Sequence, residues 1–380
     1  MIGKKKILVL TNNNPDGHRA IAKAIYSFLF ENVDSKRCDI CYSEVESKLG
    51  LFEDIYKFYY KYLPRVGSFF FNLDRFKLSR KIVNFFELRD LSSFRKVIDK
   101  NKPDLVISTY YLHTPCLVGL REKDKFDFKL WTVVADPWKT FSSSIVSGVD
   151  LHLVYDEVME KRIKEMGEEY GDVLATGWWI RSQMYKKVDR KKARESLGIN
   201  DGRPVIFVGG GGVATHSLTK VLPILLNINK KVAFIFNTGA SNFGFDLVES
   251  YIEKLKDMGK TNVIVKNFGW IENMAEILSA CDIVLGKAGP NFLFDCVACQ
   301  KPFVAVTHIS GQEDGNLELI KKKKLGWVRE IDEGIARFLK EYLDNPFYFG
   351  NKYKSNILKE AENNKKALPM VLARVKKELF

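Results

Sequence analysis

Short apolar runs alternate with stretches whose apolar positions recur at helical spacing along most of the chain. In the first half, strands are expected at residues 6–10, 105–108, 129–134 and 151–154, with helices at 19–30 and 157–166. A second set follows: strand 204–208, helix 218–226, strand 232–237, helix 245–258, strand 262–266, helix 274–281, strand 283–285 and strand 302–306. Strands alternating with helices argue an α/β architecture with parallel, doubly wound sheets, and the repeat of the pattern argues two Rossmann-like halves. The expected division is 1–177, a polar and basic linker at 178–203 containing Gly198 and Gly202, then 204–350, with a helical tail at 351–380 that crosses back to the first half.

One segment breaks the rhythm. Residues 49–91 interleave aromatic side chains, among them Tyr59 and Phe70, with Arg65, Arg75 and Lys77. Aromatic rings settle at the level of lipid headgroups and basic residues are drawn to anionic lipid, so this insertion is expected to dock on a membrane surface. The competing expectation is that its aromatic residues pack under the first sheet. Single-stranded nucleic acid would also suit such a surface, but no RNA-binding signature accompanies it and nucleic acid is not expected as a partner.

Composition narrows the partners. The chain has 380 residues, 46% hydrophobic and 28% charged, enough for two cores. Its net charge of +13 calls for an anionic partner: nucleic acid, an acidic membrane or a phosphate-bearing substrate. No apolar run of membrane-spanning length occurs, and residues 1–6 lead straight into a strand, so a cytosolic or peripheral protein is expected. The pairs Cys38/Cys41 and Cys296/Cys299 have metal or redox spacing, but no histidine cluster accompanies them; they read as reduced core cysteines, and no metal site is expected.

The chemistry concentrates in residues 286–316. The run Gly286-Lys287-Ala288-Gly289-Pro290 reads as a turn between strand 283–285 and a helix at 291–299. A glycine before a helix N-terminus lets a diphosphate approach unpaired N–H groups, and Lys287 is placed to pair with phosphate. Downstream, Gln312, Glu313 and Asn316 offer acceptors and amides suited to sugar hydroxyls. Gly209, Gly210, Gly211 and Gly212 open the second half and would also admit a diphosphate or sugar. They match neither the phosphate loop of nucleotide triphosphatases nor the dinucleotide fingerprint. In the first half, His18 stands at the start of a helix, at the edge of the expected cleft, where the helix dipole favours its neutral form, as a general base requires. Asp136, beyond strand 129–134, is the other candidate base.

Three ordered motifs, Gly17-His18-Arg19-Ala20-x-Ala22-x-Ala24-Ile25, Lys287-Ala288-Gly289-Pro290 and Gly311-Gln312-Glu313-x-Gly315-Asn316, resemble the glycolipid-forming glycosyltransferases of the GT-B fold. That family includes plant monogalactosyldiacylglycerol synthase and bacterial processive diacylglycerol glucosyltransferase. The peptidoglycan N-acetylglucosaminyltransferase acting on an undecaprenyl lipid is a more distant relative. The resemblance spans roughly residues 4–320. It implies two Rossmann-like domains facing a cleft, a UDP-sugar held by the second half, diacylglycerol or a related membrane lipid taken up by the first, and inversion at the anomeric carbon without cofactor or metal. It places the protein in the cytoplasm, peripheral on the inner face of the cell membrane.

Carried over by position, His18 matches the family's acceptor-side histidine, with Asp16, Gly17 and Arg19 beside it, and 49–91 stands where the family carries lipid-binding elements. Gly209 to Gly212 match the donor loop. Gly289 and Pro290 match the turn beneath the diphosphate, Asn291 and Phe292 replace a small residue and Thr, and Asp295 takes the place of the glutamate that holds the ribose. Gln312, Glu313 and Asn316 match the sugar-contacting segment. Alternatives are another lipid or polyprenyl acceptor, or a membrane-binding relative without catalysis.

Overall fold

The computed structural model describes residues 4–13, 16–46, 91–209 and 215–380. Tyr59, Arg65, Phe70, Arg75 and Lys77, with the rest of the expected insertion through residue 90, lie outside the described residues, as do Gly210, Gly211, Gly212 and the side chain of Asp16. The chain divides into two compact units. One comprises Met1–Ser182, Ser310–Gln312 and Asn363–Phe380, the other Gln183–Ile309 and Glu313–Glu362.

The first unit is built on a parallel sheet of β1 (Lys5–Thr11), β2 (Cys38–Glu44), β3 (Leu105–Ser108), β4 (Lys129–Val133), β5 (Leu151–Val154) and β6 (Asp172–Ala175), in the order β2-β1-β3-β4-β5-β6. The second is built on β7 (Val205–Gly209), β8 (Val232–Asn237), β9 (Val263–Phe268), β10 (Ile283–Lys287), β11 (Phe303–Thr307) and β12 (Gly326–Val328), in the order β12-β11-β10-β7-β8-β9. β3, β5, β7 and β8 are buried along their whole length, which is why they read as unbroken apolar runs. In each sheet the chain reverses its direction of travel once, between β1 and β3 and between β7 and β10. Loops leaving the two strands at such a point run to opposite faces of the sheet, and a crevice opens at the carboxyl ends.

Several boundaries differ from the expected ones for local reasons. β7 starts one residue late because Pro204 has no N–H to give to a ladder. β10 extends through Lys287, and the next helix, Pro290–Ala298, takes Pro290 as its first residue, where the fixed φ of proline suits a helix start. The expected five-residue turn therefore shrinks to Ala288 and Gly289. The helix His113–Asp124 is absent from the periodicity because its first five residues are all buried and show no polar face. β6 is a half-exposed edge strand with little apolar signal.

The stretch expected as a linker is ordered at both ends. Trp178, Trp179 and Ile180 are buried in the first unit, where the Trp178 N–H donates to Asn364 Oδ1 at 2.9 Å. In the second unit, the helix Arg190–Ser196 is anchored by Asp282, which accepts from Arg194 Nη2 at 2.7 Å, from Arg190 and from the Val205 N–H at 2.7 Å. Arg194 also donates to the carbonyls of Ala280 and Arg203. None of the six cysteines forms a disulfide, and four of them are buried. Among the described residues no helix is long and apolar enough to cross a membrane.

Three buried histidines set the acid stability of the first unit. Burial pushes His18 down to about 4, against the Thr109 carbonyl that favours its charged form. Burial takes His113 to about 3, with His18 adding to the effect. His152 falls to about 4 through burial, opposed by a backbone bond to Tyr170. Each folded-state value lies below the unfolded one of 6.5, so the unfolded chain binds more protons and stability falls as pH drops from 6.5 toward 4. The slope approaches roughly 1.4 kcal/mol per pH unit for each histidine.

His113 is wedged between Phe94 and Tyr110 with neither ring nitrogen hydrogen-bonded. His113→Phe is therefore expected to leave neutral-pH stability unchanged or raised and to shift the acid unfolding midpoint to lower pH, as followed by circular dichroism. In the second unit, Asp282→Ala takes the carboxylate from Arg194 Nη2 and from the Val205 N–H and is expected to cost about 3 kcal/mol in guanidinium unfolding.

Candidate functional site

His18 lies in the first turn of the helix Asp16–Asn32, at the carboxyl end of β1, and Thr109 follows β3 immediately across the reversal point. His18 is 9% exposed, and its Nδ1 stands 2.6 Å from the Thr109 carbonyl oxygen. A carbonyl only accepts, so Nδ1 carries the proton and Nε2 keeps its lone pair. Thr109 Oγ1 donates back to the His18 carbonyl at 3.3 Å. Tyr110 meets the imidazole edge-on at 5.0 Å and Tyr111 lies at 6.1 Å, itself stacked on Phe141 at 5.6 Å. The neutral state expected from the helix dipole is thus set chiefly by burial.

Asp136 is buried three residues beyond β4 and accepts from Gln312 Nε2 at 3.1 and 3.4 Å. Gly17 is exposed beside His18. Arg19 turns to the sheet edge, where its Nε donates to Glu44 Oε1 at 3.1 Å, an oxygen that also accepts from Tyr42 at 2.6 Å.

The second unit repeats this placement at its own reversal point. Gly286 in β10 pairs with Gly209 in β7 at the carboxyl ends of both strands. A Cβ on Gly286 would stand 2.6 Å from the Gly209 carbonyl oxygen and 2.9 Å from the Phe292 ring. Phe292 packs between Phe207 and Phe303, with ring centroids 5.8 and 5.9 Å away. It belongs to the support of the turn, filling the space over Gly286.

Gly289 is the N-cap of the helix Pro290–Ala298 and, as a glycine, makes no side-chain cap hydrogen bond. The turn is held from below: Asn316, 1% exposed, donates from Nδ2 to the Ala288 carbonyl at 2.7 Å. Glu313 is also buried, forming an ion pair with Lys287 through Oε1 and accepting the Ile309 N–H through Oε2 at 2.7 Å. All three side chains expected to meet sugar hydroxyls, Gln312, Glu313 and Asn316, thus also have partners inside the protein. Lys287 is mostly buried beside Gly289. Asn291 and Asp295 lie half-buried on the helix that follows.

Two groups of residues in these sites escaped the sequence reading. Thr109, Tyr110 and Tyr111 follow a strand end directly, a position signal that was available. His308 follows β11 in the same way. Its Nδ1 stands 2.5 Å from Glu330 Oε1 and its Nε2 3.1 Å from Asp314 Oδ1. Only the fold brings those two acids to it.

Both halves of the chain are similar to known proteins. Residues 18–180 match the family model of monogalactosyldiacylglycerol (MGDG) synthase, and residues 205–370 match that of the glycosyltransferase family 28 C-terminal domain. A processive diacylglycerol beta-glucosyltransferase of Bacillus pumilus is 24% identical over 82% of this chain and 80% of its own length. Among solved structures, MurG of Acinetobacter baumannii aligns at a TM-score of 0.63 with 12% identity, over 98% of this chain and 99% of that one. HepE of Anabaena, in complex with UDP, aligns at 0.57 with 14% identity, over 98% of this chain and 99% of that one. Two parallel sheets with flanking helices, matched in turn by these two models, define a GT-B glycosyltransferase. The chain belongs to the glycosyltransferase family that contains monogalactosyldiacylglycerol synthase and processive diacylglycerol glucosyltransferase.

Proposed function

We propose that this glycosyltransferase moves a hexose from a UDP-sugar to diacylglycerol or a related membrane lipid, with inversion at the anomeric carbon. The observation that carries the proposal is His18: a buried, neutral imidazole whose Nδ1–H is spent on Thr109, leaving Nε2 as a proton acceptor at the carboxyl end of β1. The lipid acceptor is supported by the match to the MGDG synthase model over the unit that holds His18, and by the Bacillus pumilus relative, named for diacylglycerol. The UDP-sugar is supported by the helix start after Gly289, a glycine N-cap, and by the glycine pair beside it, where a diphosphate can approach backbone N–H groups. A net charge of +13 suits an anionic membrane surface.

In the proposed reaction the acceptor hydroxyl oxygen attacks the anomeric carbon from the face opposite UDP. Its proton passes to His18 Nε2, the bond from the anomeric carbon to the diphosphate oxygen breaks, and that oxygen leaves with the electron pair. Charge growing on the diphosphate is met by the helix start at Pro290 and by Lys287, whose ammonium Glu313 holds in place. Asp136, held by the Gln312 amide, orients groups on the acceptor side. With His18 lowered to about 4, this base stays in its proton-accepting form throughout the neutral range.

His18→Asn keeps an amide donor for the Thr109 carbonyl and removes the base. It is expected to fold normally and to lower kcat roughly 10²- to 10⁴-fold, measured by mass spectrometry of glycolipid formed from mixed UDP-sugars and diacylglycerol vesicles. Full activity in that variant would remove His18 from the chemistry, and a larger loss in Asp136→Asn would move the base to Asp136. A wild-type protein that forms no glycolipid from any of these donors would refute the transfer itself.

A further inference from the structure

His308 lies between two carboxylates that belong to different elements. Glu330 follows β12 and Asp314 opens the helix Asp314–Lys322, while His308 follows β11. Nδ1 faces Glu330 Oε1 at 2.5 Å and Nε2 faces Asp314 Oδ1 at 3.1 Å. An ionised carboxylate only accepts, so both nitrogens must carry protons; a neutral ring would set a lone pair against one of the acids. The cluster is partly sheltered, with the His308 side chain 20% exposed. Two cations lie on the surrounding elements: Lys220, whose ammonium donates to the Val306 carbonyl at 3.1 Å and to the Glu330 carbonyl, and Arg329, whose Nη1 donates to the Val328 carbonyl at 2.8 Å and whose guanidinium lies over Phe338.

What the cluster holds follows from the next residues. Asp314 adjoins Glu313, whose carboxylate pairs with Lys287 and accepts the Ile309 N–H. Two residues further on, Asn316 fixes the Ala288 carbonyl. The start of this helix is thus tied on one side to the turn expected to carry the diphosphate, and on the other to His308.

We propose that His308, as an imidazolium, is a positioning residue for the donor site: it clamps the ends of β11 and β12 to the helix start that sets Glu313, Lys287 and the Ala288 turn. This rests on the nucleotide-sugar reading of the second unit. Burial opposes the charged ring, but the Glu330 bond and the charges of Glu330 and Asp314 outweigh it and raise its pKa above the usual value. The contribution is therefore complete at low pH and is lost as pH rises through the raised folded-state value, when one of the two carboxylate contacts must go.

The test is UDP binding by titration calorimetry between pH 6 and 9, with wild type, His308→Gln and His308→Arg. Wild-type affinity is expected to fall about tenfold across this range, the size of one charge-assisted hydrogen bond. His308→Gln, with one donor and no charge, should be weaker at low pH and lack this dependence. His308→Arg, a permanent cation with several donors, should hold the low-pH affinity throughout. Ionisation of UDP itself is common to all three proteins and cancels in the comparison.

If His308→Gln matches wild type in affinity and pH dependence, the proposal is overturned. Should His308→Arg fail to fold, Glu330→Gln probes the clamp from its other side. Losing one carboxylate lowers the pKa of His308, so the affinity change should move to lower pH; an unmoved change is contrary. A wild-type protein that binds no UDP at pH 6 refutes the donor reading instead. The clamp is then judged by melting temperature, where the gap between wild type and His308→Gln should narrow from pH 6 to 9, and a constant gap overturns it.

Discussion

At the carboxyl ends of β7 and β10 two backbones approach so closely that neither strand has room for a side chain at the contact, and the chemistry of the second unit depends on that approach. Gly286 faces the Gly209 carbonyl on one side and the Phe292 ring on the other. Because both strand ends are bare, Ala288 and Gly289 can turn directly into a helix whose first residue is proline. The N-cap of that helix, Gly289, has no side chain to bond its first N–H groups. Phe292 is part of this constraint, since its ring occupies the volume left by the glycine and rests on Phe207 and Phe303.

Polar groups around the turn are committed in a graded way. Asn316 and Glu313 are buried and satisfied by Ala288, Ile309 and Lys287, which gives the turn a fixed floor. A buried carboxylate without a partner would cost several kcal/mol, so Lys287 and Glu313 hold each other as much as either holds a ligand. The first unit follows the same logic with a neutral group. The Thr109 carbonyl takes one imidazole proton of His18, and burial among Tyr110 and neighbouring residues keeps the ring from gaining a second. Histidine thus meets two opposite environments in this protein: burial lowers the pKa of His18, whereas the two carboxylates facing His308 raise its pKa against burial.

Much of this was legible along the chain. Parallel strands buried on both faces must be written as unbroken apolar runs, so most strands announced themselves, and Gly286, Gly289 and Pro290 marked a close approach and a helix start. The reading went astray where burial hides periodicity, as in the helix His113–Asp124, or where an edge strand is half exposed, as in β6. The internal partners of Asn316 and Glu313 were also out of reach, because a one-dimensional spacing does not tell which backbone groups a side chain meets.

The sequence by itself determined the class of fold, the alternation that forces parallel sheets, and the identity of the residues that follow each strand, because strand and helix periods are local properties of neighbouring side chains. Tertiary structure alone decided which strand ends lie side by side, and hence that Thr109 meets His18, that Gly209 meets Gly286, and that Glu330 and Asp314 meet His308. Those meetings join residues 91, 77, 22 and 6 positions apart. They set protonation state and ligand access, which depend on burial and on the nearest opposite charge, quantities that exist only once the chain is folded.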